Sequence, residues 1–202
     1  MKLMKSTTSP FARLAHMALI EAEAEYEIEL LNPWADPEQL VALNPSKRVP
    51  CLQLDDGTVL TEAMVIAMYA ADIAPEGSHL KSNTSHDYEI CGLAFGVIEA
   101  AVYMMTGRKL FSDDLGVDEF DRTHPVAQRR RDAMIVGLGR IEALVDRLSE
   151  NRLGLAELLV VDAVQYMDFR FPDSDWRPEI PRLDAWIERA HEHRSVSETI
   201  PS

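Results

Sequence analysis

Positive charge is scarce in this chain. Twenty lysines and arginines stand against 34 aspartates and glutamates in 202 residues, a formal net charge of -14. That balance argues against sequence-independent nucleic-acid binding, which needs a cationic footprint. It does not forbid an anionic small ligand, because a local pocket can oppose the global sign; its plain meaning is solubility. Cysteine is nearly absent. Cys51 and Cys91 lie far apart and suggest no disulfide framework, and no Cys-x-x-Cys supports dithiol redox chemistry. There is no Gly-x-Gly-x-x-Gly and no P-loop. No stretch approaches the ~18 uninterrupted apolar residues of a membrane helix. Met1-Lys2-Leu3-Met4-Lys5-Ser6 also lacks the apolar segment of a signal peptide. The expectation is a cytoplasmic protein with no membrane partner. Histidines 16, 79, 86, 124, 191 and 193 form no metal-ligand spacing and no cysteine joins them, so no metal is expected. His191 and His193 read as solvated in a charged tail.

Apolar side chains are plentiful. Hydrophobic residues make up 47% of the chain and charged residues 27%, enough for a sizeable core. Two regimes follow one another. Up to about Ile73, short apolar runs alternate with helical patterns. Met1–Ser6 predicts a strand. Pro10–Ala22 predicts a helix with Phe11, Leu14, Ala15, Ala18 and Leu19 on one face, opened by a proline that suits a first turn. Tyr26–Leu31 predicts a strand, Pro37–Leu43 a short helix, and Pro50–Leu54 with Thr58–Leu60 a hairpin around Asp55-Asp56-Gly57. Thr61–Ile73 predicts a further helix, so the order is βαβαββα. The Pro/Gly/Ser content of Ala74–Ser78 marks a linker. Beyond it the strand signals nearly vanish. Helices are predicted over Thr84–Thr106, Pro125–Leu148, Leu155–Phe169 and Pro181–His191. Met134, Leu138, Ile141, Val145 and Leu148 form a bundle seam. Leu155–Phe169 is apolar nearly all round and should be the buried helix. Lys109–Asp121 reads as a loop. The pattern implies a small open sheet with helices followed by a helical bundle, and leaves the strand order open.

Four places can carry chemistry. Ser9, where the first strand ends and the first helix begins, can donate its hydroxyl to a thiolate beside a helix N-terminus that favours negative charge. It can equally be the helix cap; Thr8 is the fallback. Val49-Pro50 is an awkward entry to a central strand. A cis bond there would leave the Val49 backbone facing outward for an extended ligand, whereas an edge or turn proline would do nothing further. Glu62-Ala63 opens a helix where an acidic residue is favoured anyway. There a carboxylate and a backbone N–H can also hold the two charges of an amino-acid headgroup. Lys47-Arg48 is the only basic pair nearby, read either as a ligand contact or as a solvated loop. Cys51 and Cys91 read as small buried hydrophobes.

In order and spacing, these residues resemble a bacterial glutathione S-transferase of the serine type. The likeness rests on Ser9-Pro10-Phe11-x-Arg13, Asn44-Pro45-x-x-x-Val49-Pro50-x-Leu52 and Leu60-x-Glu62-Ala63 with Ile66 and Tyr69. It extends through Gly154-Leu155-Ala156-Glu157, Tyr166–Pro172 and Pro181-Arg182-Leu183-x-Ala185-Trp186, so it covers essentially the whole chain. It implies an α/β thioredoxin-like N-terminal domain over 1–74, a linker over 75–81 and an all-α helical domain over 82–202. It implies glutathione as co-substrate and a homodimer. By residue, Ser9 stabilises the thiolate, and Val49 before a cis Pro50 pairs with the cysteinyl unit. Glu62 and the Ala63 N–H hold the γ-glutamyl end. Arg48 or Lys47 meets the glycyl carboxylate, and Trp34 shapes that side. Phe11, Tyr103, Met104 and Met105 are candidate walls for a small, hydrophobic electrophile.

Three departures from the family pattern stand out. Ala63 replaces the usual serine and Phe11 the usual tyrosine. Gly154 with Glu157 replaces a Ser/Thr cap with Asp, leaving capping one-sided. A non-catalytic glutathione-binding or regulatory protein is the competing class. A glutaredoxin-like reductase would require cysteine where Ser9 stands.

Overall fold

The structure is a computed structural model that describes residues 1–81 and 83–202. Its first part runs β1 (Lys2–Lys5), α1 (Pro10–Glu21), β2 (Glu27–Leu30), α2 (Glu38–Leu43), β3 (Cys51–Gln53), β4 (Val59–Thr61) and α3 (Ala63–Ile73). The sheet order is β2-β1-β3-β4, with β1 and β2 parallel and the other pairs antiparallel. Register follows from burial. Side chains alternate across a strand, so Leu3 pairs with Leu52 facing the main core, while Met4 pairs with Cys51 on the other face. There Leu40 of α2, Ala12 of α1 and Val49 close a smaller buried cluster. A one-residue slip would send both pairs to the wrong face.

The rest is helical: α4 (Ser85–Leu115), α5 (Val117–Thr123), α6 (Pro125–Ala143), α7 (Leu155–Arg170), α8 (Pro181–Ala190) and α9 (Arg194–Ser197). Twelve of the sixteen residues of α7 are buried, so it is the axis around which the other elements pack. Its N-terminus is closed by Glu157, whose carboxylate accepts from the backbone N–H groups of Gly154 (3.0 Å) and Ser149 (2.9 Å). Stretches of α4 are long and apolar enough to cross a membrane by length and composition. In the fold, Ile90, Ala94, Val97, Ile98, Ala101 and Met104 bury that apolar character in the core. Gly137 lets α6 approach closely: a Cβ there would lie 2.5 Å from Val97 Cγ2.

Three expectations change. Lys109–Asp121 is not a loop: α4 continues to Leu115, and after Gly116 (φ +74°) α5 begins at once. The aromatic side chains hold this region, with Phe120 fully buried, stacked on Phe111 and tilted against His124. The helix predicted to Leu148 ends at Ala143 and tightens into a 3-10 turn over Val145–Arg147, which still buries Val145 and Leu148. The tail is not free either. Ser195 and Val196 are buried, Thr199 lies against α1, and His191 shares a 2.7 Å hydrogen bond with Gln165.

Candidate functional site

Ser9 has extended backbone and caps α1, its Oγ accepting from the Ala12 N–H at 3.2 Å. Pro10 has no N–H, and the Phe11 N–H has no partner among the described residues. The mouth of α1 therefore keeps one backbone donor and the Ser9 hydroxyl proton uncommitted.

The Val49-Pro50 bond is cis. Asn44, only 2% exposed, shapes the approach to it. Its Nδ2 donates to the Arg48 carbonyl (2.8 Å) and its Oδ1 accepts from the Ser46 N–H (3.0 Å). Val49 then packs its side chain with Ala12 of α1 and Met4 of β1. Among the described residues, neither the N–H nor the carbonyl of Val49 has a hydrogen-bond partner. The Cys51↔Thr61 register puts the Val49-Pro50 corner opposite the start of α3. There Glu62 sits at φ +69°, a conformation costly for a residue with a Cβ. The N–H groups of Ala63 and Met64 likewise have no partner among the described residues. Two helix starts and one open backbone edge thus converge.

The charged candidates divide. Arg48 Nη2 meets Glu62 Oε1 at 2.6 Å, while Lys47 Nζ meets Asp36 at 2.8 Å. Both pairs are exposed, so each contributes ~0–1 kcal/mol and yields readily to a ligand. Trp34 is 69% exposed, and Lys109 of α4 lies over its ring with Nζ 3.7 Å from the centroid, bridging the sheet side and the bundle. Cys51 is buried beside the cis bond, and burial pushes its thiol up. Among the described residues no group of three His, Cys, Asp or Glu converges as a metal cage.

The wall residues need correction. Met104 is fully buried in the core and cannot face a ligand. Tyr103, one residue away and so about 100° round the helix, is turned to α6, where Arg130 stacks on its ring at 4.5 Å. Phe11 and Met105 are half-buried, Phe11 lying 5.8 Å from Phe95 of α4. Two basic residues not singled out from sequence stand nearby. Arg170, closing α7, donates from Nη2 to the Thr8 carbonyl at 3.2 Å. Lys109 covers Trp34. The only signal for Arg170 was a cation ending an otherwise apolar helix; Lys109 fell in a stretch read as loop.

Residues 8–73 match the family model described as glutathione S-transferase, N-terminal domain. An uncharacterized GST-like protein, YibF of Escherichia coli, is 25% identical, with 100% of this chain and 98% of that one covered. Glutathione S-transferase stcT of Emericella nidulans is 29% identical, with 91% of this chain and 85% of that one covered. The crystal structure of a glutathione S-transferase from Methylobacillus flagellatus with glutathione bound has a TM-score of 0.85 at 25% identity, covering 100% of this chain and 99% of that one. Together these likenesses support a glutathione S-transferase family protein, with the N-terminal domain over residues 8–73. As expected of a glutathione S-transferase, a thioredoxin-like sheet domain precedes an all-helical one.

Proposed function

We propose that this chain binds glutathione at the Val49–Glu62 corner and activates its thiol for attack on a small electrophile. The observation that carries the reading is the open backbone of Val49 beside the uncapped start of α3 and the mouth of α1. A tripeptide lying along that edge would pair with both backbone groups of Val49. Its γ-glutamyl ammonium would meet Glu62, and its α-carboxylate the Ala63 N–H. Its sulfur would face Ser9 and the Phe11 N–H. A free thiol has a pKa near 8.5, so little thiolate exists at neutral pH. A hydroxyl donor and a helix N-terminus favour the anion. The thiol proton leaves to solvent, the sulfur pair forms a C–S bond, and the leaving group departs with the carbon's former bonding pair. Holding both reactants together supplies the remaining advantage. Ala63 offers one hydroxyl less than the usual serine, but its N–H remains.

As a homodimer, the transferase would use the outward face of α3, where Val65 and Met68 stand exposed one turn apart.

The test is retention on glutathione-agarose followed by conjugation of 1-chloro-2,4-dinitrobenzene. Retention with turnover supports the reading. Retention without turnover across several electrophiles makes the protein a binder, and absence of retention removes glutathione altogether. Turnover in a disulfide-reduction assay would point to reductase chemistry.

A further inference from the structure

Where α4, α5 and α6 meet the turn after α7, a cavity of about 440 Å³ opens. That size suits a small organic ligand. Arg108, Arg122, Arg131 and Arg170 line it, with Phe171 and Trp176 as aromatic wall. Four of the chain's 20 basic residues therefore gather at one concavity of a molecule whose net charge is -14.

The guanidinium groups are not equally available. Arg108 is committed, with Nε and Nη2 on the Asp121 carboxylate and its face 4.6 Å over the Phe171 ring. Among the described residues, Arg122, Arg131 and Arg170 pair with no carboxylate. Asp173 and Asp175 also line the cavity, but both are exposed and make no ion pair with these arginines. Arg170 donates to the Thr8 carbonyl and lies over the Phe169 ring at 4.6 Å, while its Nε has no hydrogen-bond partner among the described residues. Phe171 and Trp176 stand 5.3 Å apart at 59°. Unpaired planar cations beside aromatic rings suit a ligand with a carboxylate on a flat apolar body.

We propose that this cavity takes a small aromatic carboxylate, the acid on Arg131 and Arg170 and the ring against Trp176. Because Arg170 also reaches the residue before Ser9, the cavity serves as the electrophile subsite. That second step rests on the transferase reading above and gives its substrate class: acidic aromatic electrophiles.

Calorimetric titration of the full chain with trans-cinnamate tests it, with cinnamyl alcohol as the neutral control. Cinnamate should bind about tenfold tighter than the alcohol, and less tightly as salt rises. Arg131→Gln and Arg170→Gln should each weaken the acid about tenfold, the loss expected for one charged hydrogen-bond partner, and leave the alcohol unchanged. Arg131 is half-exposed and makes no hydrogen bond or ion pair among the described residues, so its variant folds and keeps the test decisive even if Arg170→Gln does not. Equal binding of acid and alcohol, or undiminished acid binding by Arg131→Gln, overturns the proposal. With glutathione present, cinnamate should compete with 1-chloro-2,4-dinitrobenzene; binding without competition overturns the subsite assignment. Conjugation without any cinnamate binding removes the acid pocket but not the transferase. Cinnamate binding without glutathione retention removes the transferase reading but not the pocket.

Discussion

Under the proposed function one oxygen at Ser9 would serve two ends. A lone pair accepts the Ala12 N–H, and the hydroxyl proton would meet the ligand sulfur. Ser9→Ala removes both, so it should cost about 1 kcal/mol of stability through the lost cap and also raise the pKa of the bound thiol. Ser9→Asp keeps an equally good cap acceptor but brings no donor at neutral pH and adds like charge. It should melt with the parent yet titrate the thiol at least as high as Ser9→Ala. Thiolate absorbance of the glutathione complex against pH, read beside melting temperature, separates the roles. A midpoint identical in all three proteins would leave Ser9 a cap only. At Glu62 the argument turns on exposure. Its pair with Arg48 is at the surface, so Glu62→Gln should change stability by less than about 1 kcal/mol. Loss of a charged partner for the ligand ammonium is worth about 1.5–3 kcal/mol. Glutathione affinity should therefore fall roughly tenfold or more by calorimetry, and an unchanged affinity removes Glu62 from the site. These residues were legible in the sequence because each sits at a local junction of strand, turn and helix start. Arg170 was not, because its place beside Thr8 depends on how α7 docks against the loop before α1.

Elements were legible where periodicity was unbroken by charge. The seam of α6 and the all-round apolar α7 follow directly from spacing. The region after Lys109 was not legible, since its acidic residues hide the helix, and Phe120 meets Phe111 and Gly107 only because the chain turns at Gly116 and folds α5 back on α4. That ring lies against Gly107 of α4, where an added Cβ would overlap it. Gly107→Ala should thus destabilise by about 1–3 kcal/mol despite alanine's better helix propensity. A denaturation midpoint equal to or above the parent's would show that α5 shifts freely. On α3, Met68 is 62% exposed and Val65 46%, an apolar pair on the face opposite the buried Ile66, Ala67 and Ala70. If this face joins two copies, Met68→Lys should convert a dimer mass to a monomer mass at micromolar concentration with the fold retained. A parent that already sedimented as a monomer would contradict the dimer.

At the scale of the whole molecule, sheet and bundle are joined by polar groups that no local pattern could reveal. Arg13 of α1 is 3% exposed. It donates to Gln165 of α7 and to Thr199 Oγ1 of the tail, and its Nη1 lies 3.7 Å from Asp162, which is fully buried in α7. Neither oxygen of Asp162 has a hydrogen-bond partner among the described residues. The two make a long buried charge contact with no hydrogen bond between them. Burial raises the Asp162 pKa to about 8, only partly offset by Arg13, so near neutrality the carboxyl is mostly protonated. A buried acid whose pKa is raised above its unfolded value near 3.9 makes the native state bind the extra proton, and stability falls as pH rises toward 8. His16 acts in the opposite sense. Burial, the adjacent Lys5 and Arg194 hold its pKa down to about 4 against the opposing pull of Glu198, so between about 4 and 6.5 the unfolded chain binds more protons and stability rises with pH. The two slopes oppose each other below 6.5, and above it only Asp162 remains. The parent should therefore lose melting temperature steadily from pH 6.5 to 8, then level off. Asp162→Asn, close in shape to the protonated acid but with nothing to ionise in the unfolded chain, should melt above the parent at pH 6.5 and stay flat to pH 8. Melts of both proteins across that window decide it: the same decline in the variant would mean that Asp162 does not carry the proton that couples sheet to bundle.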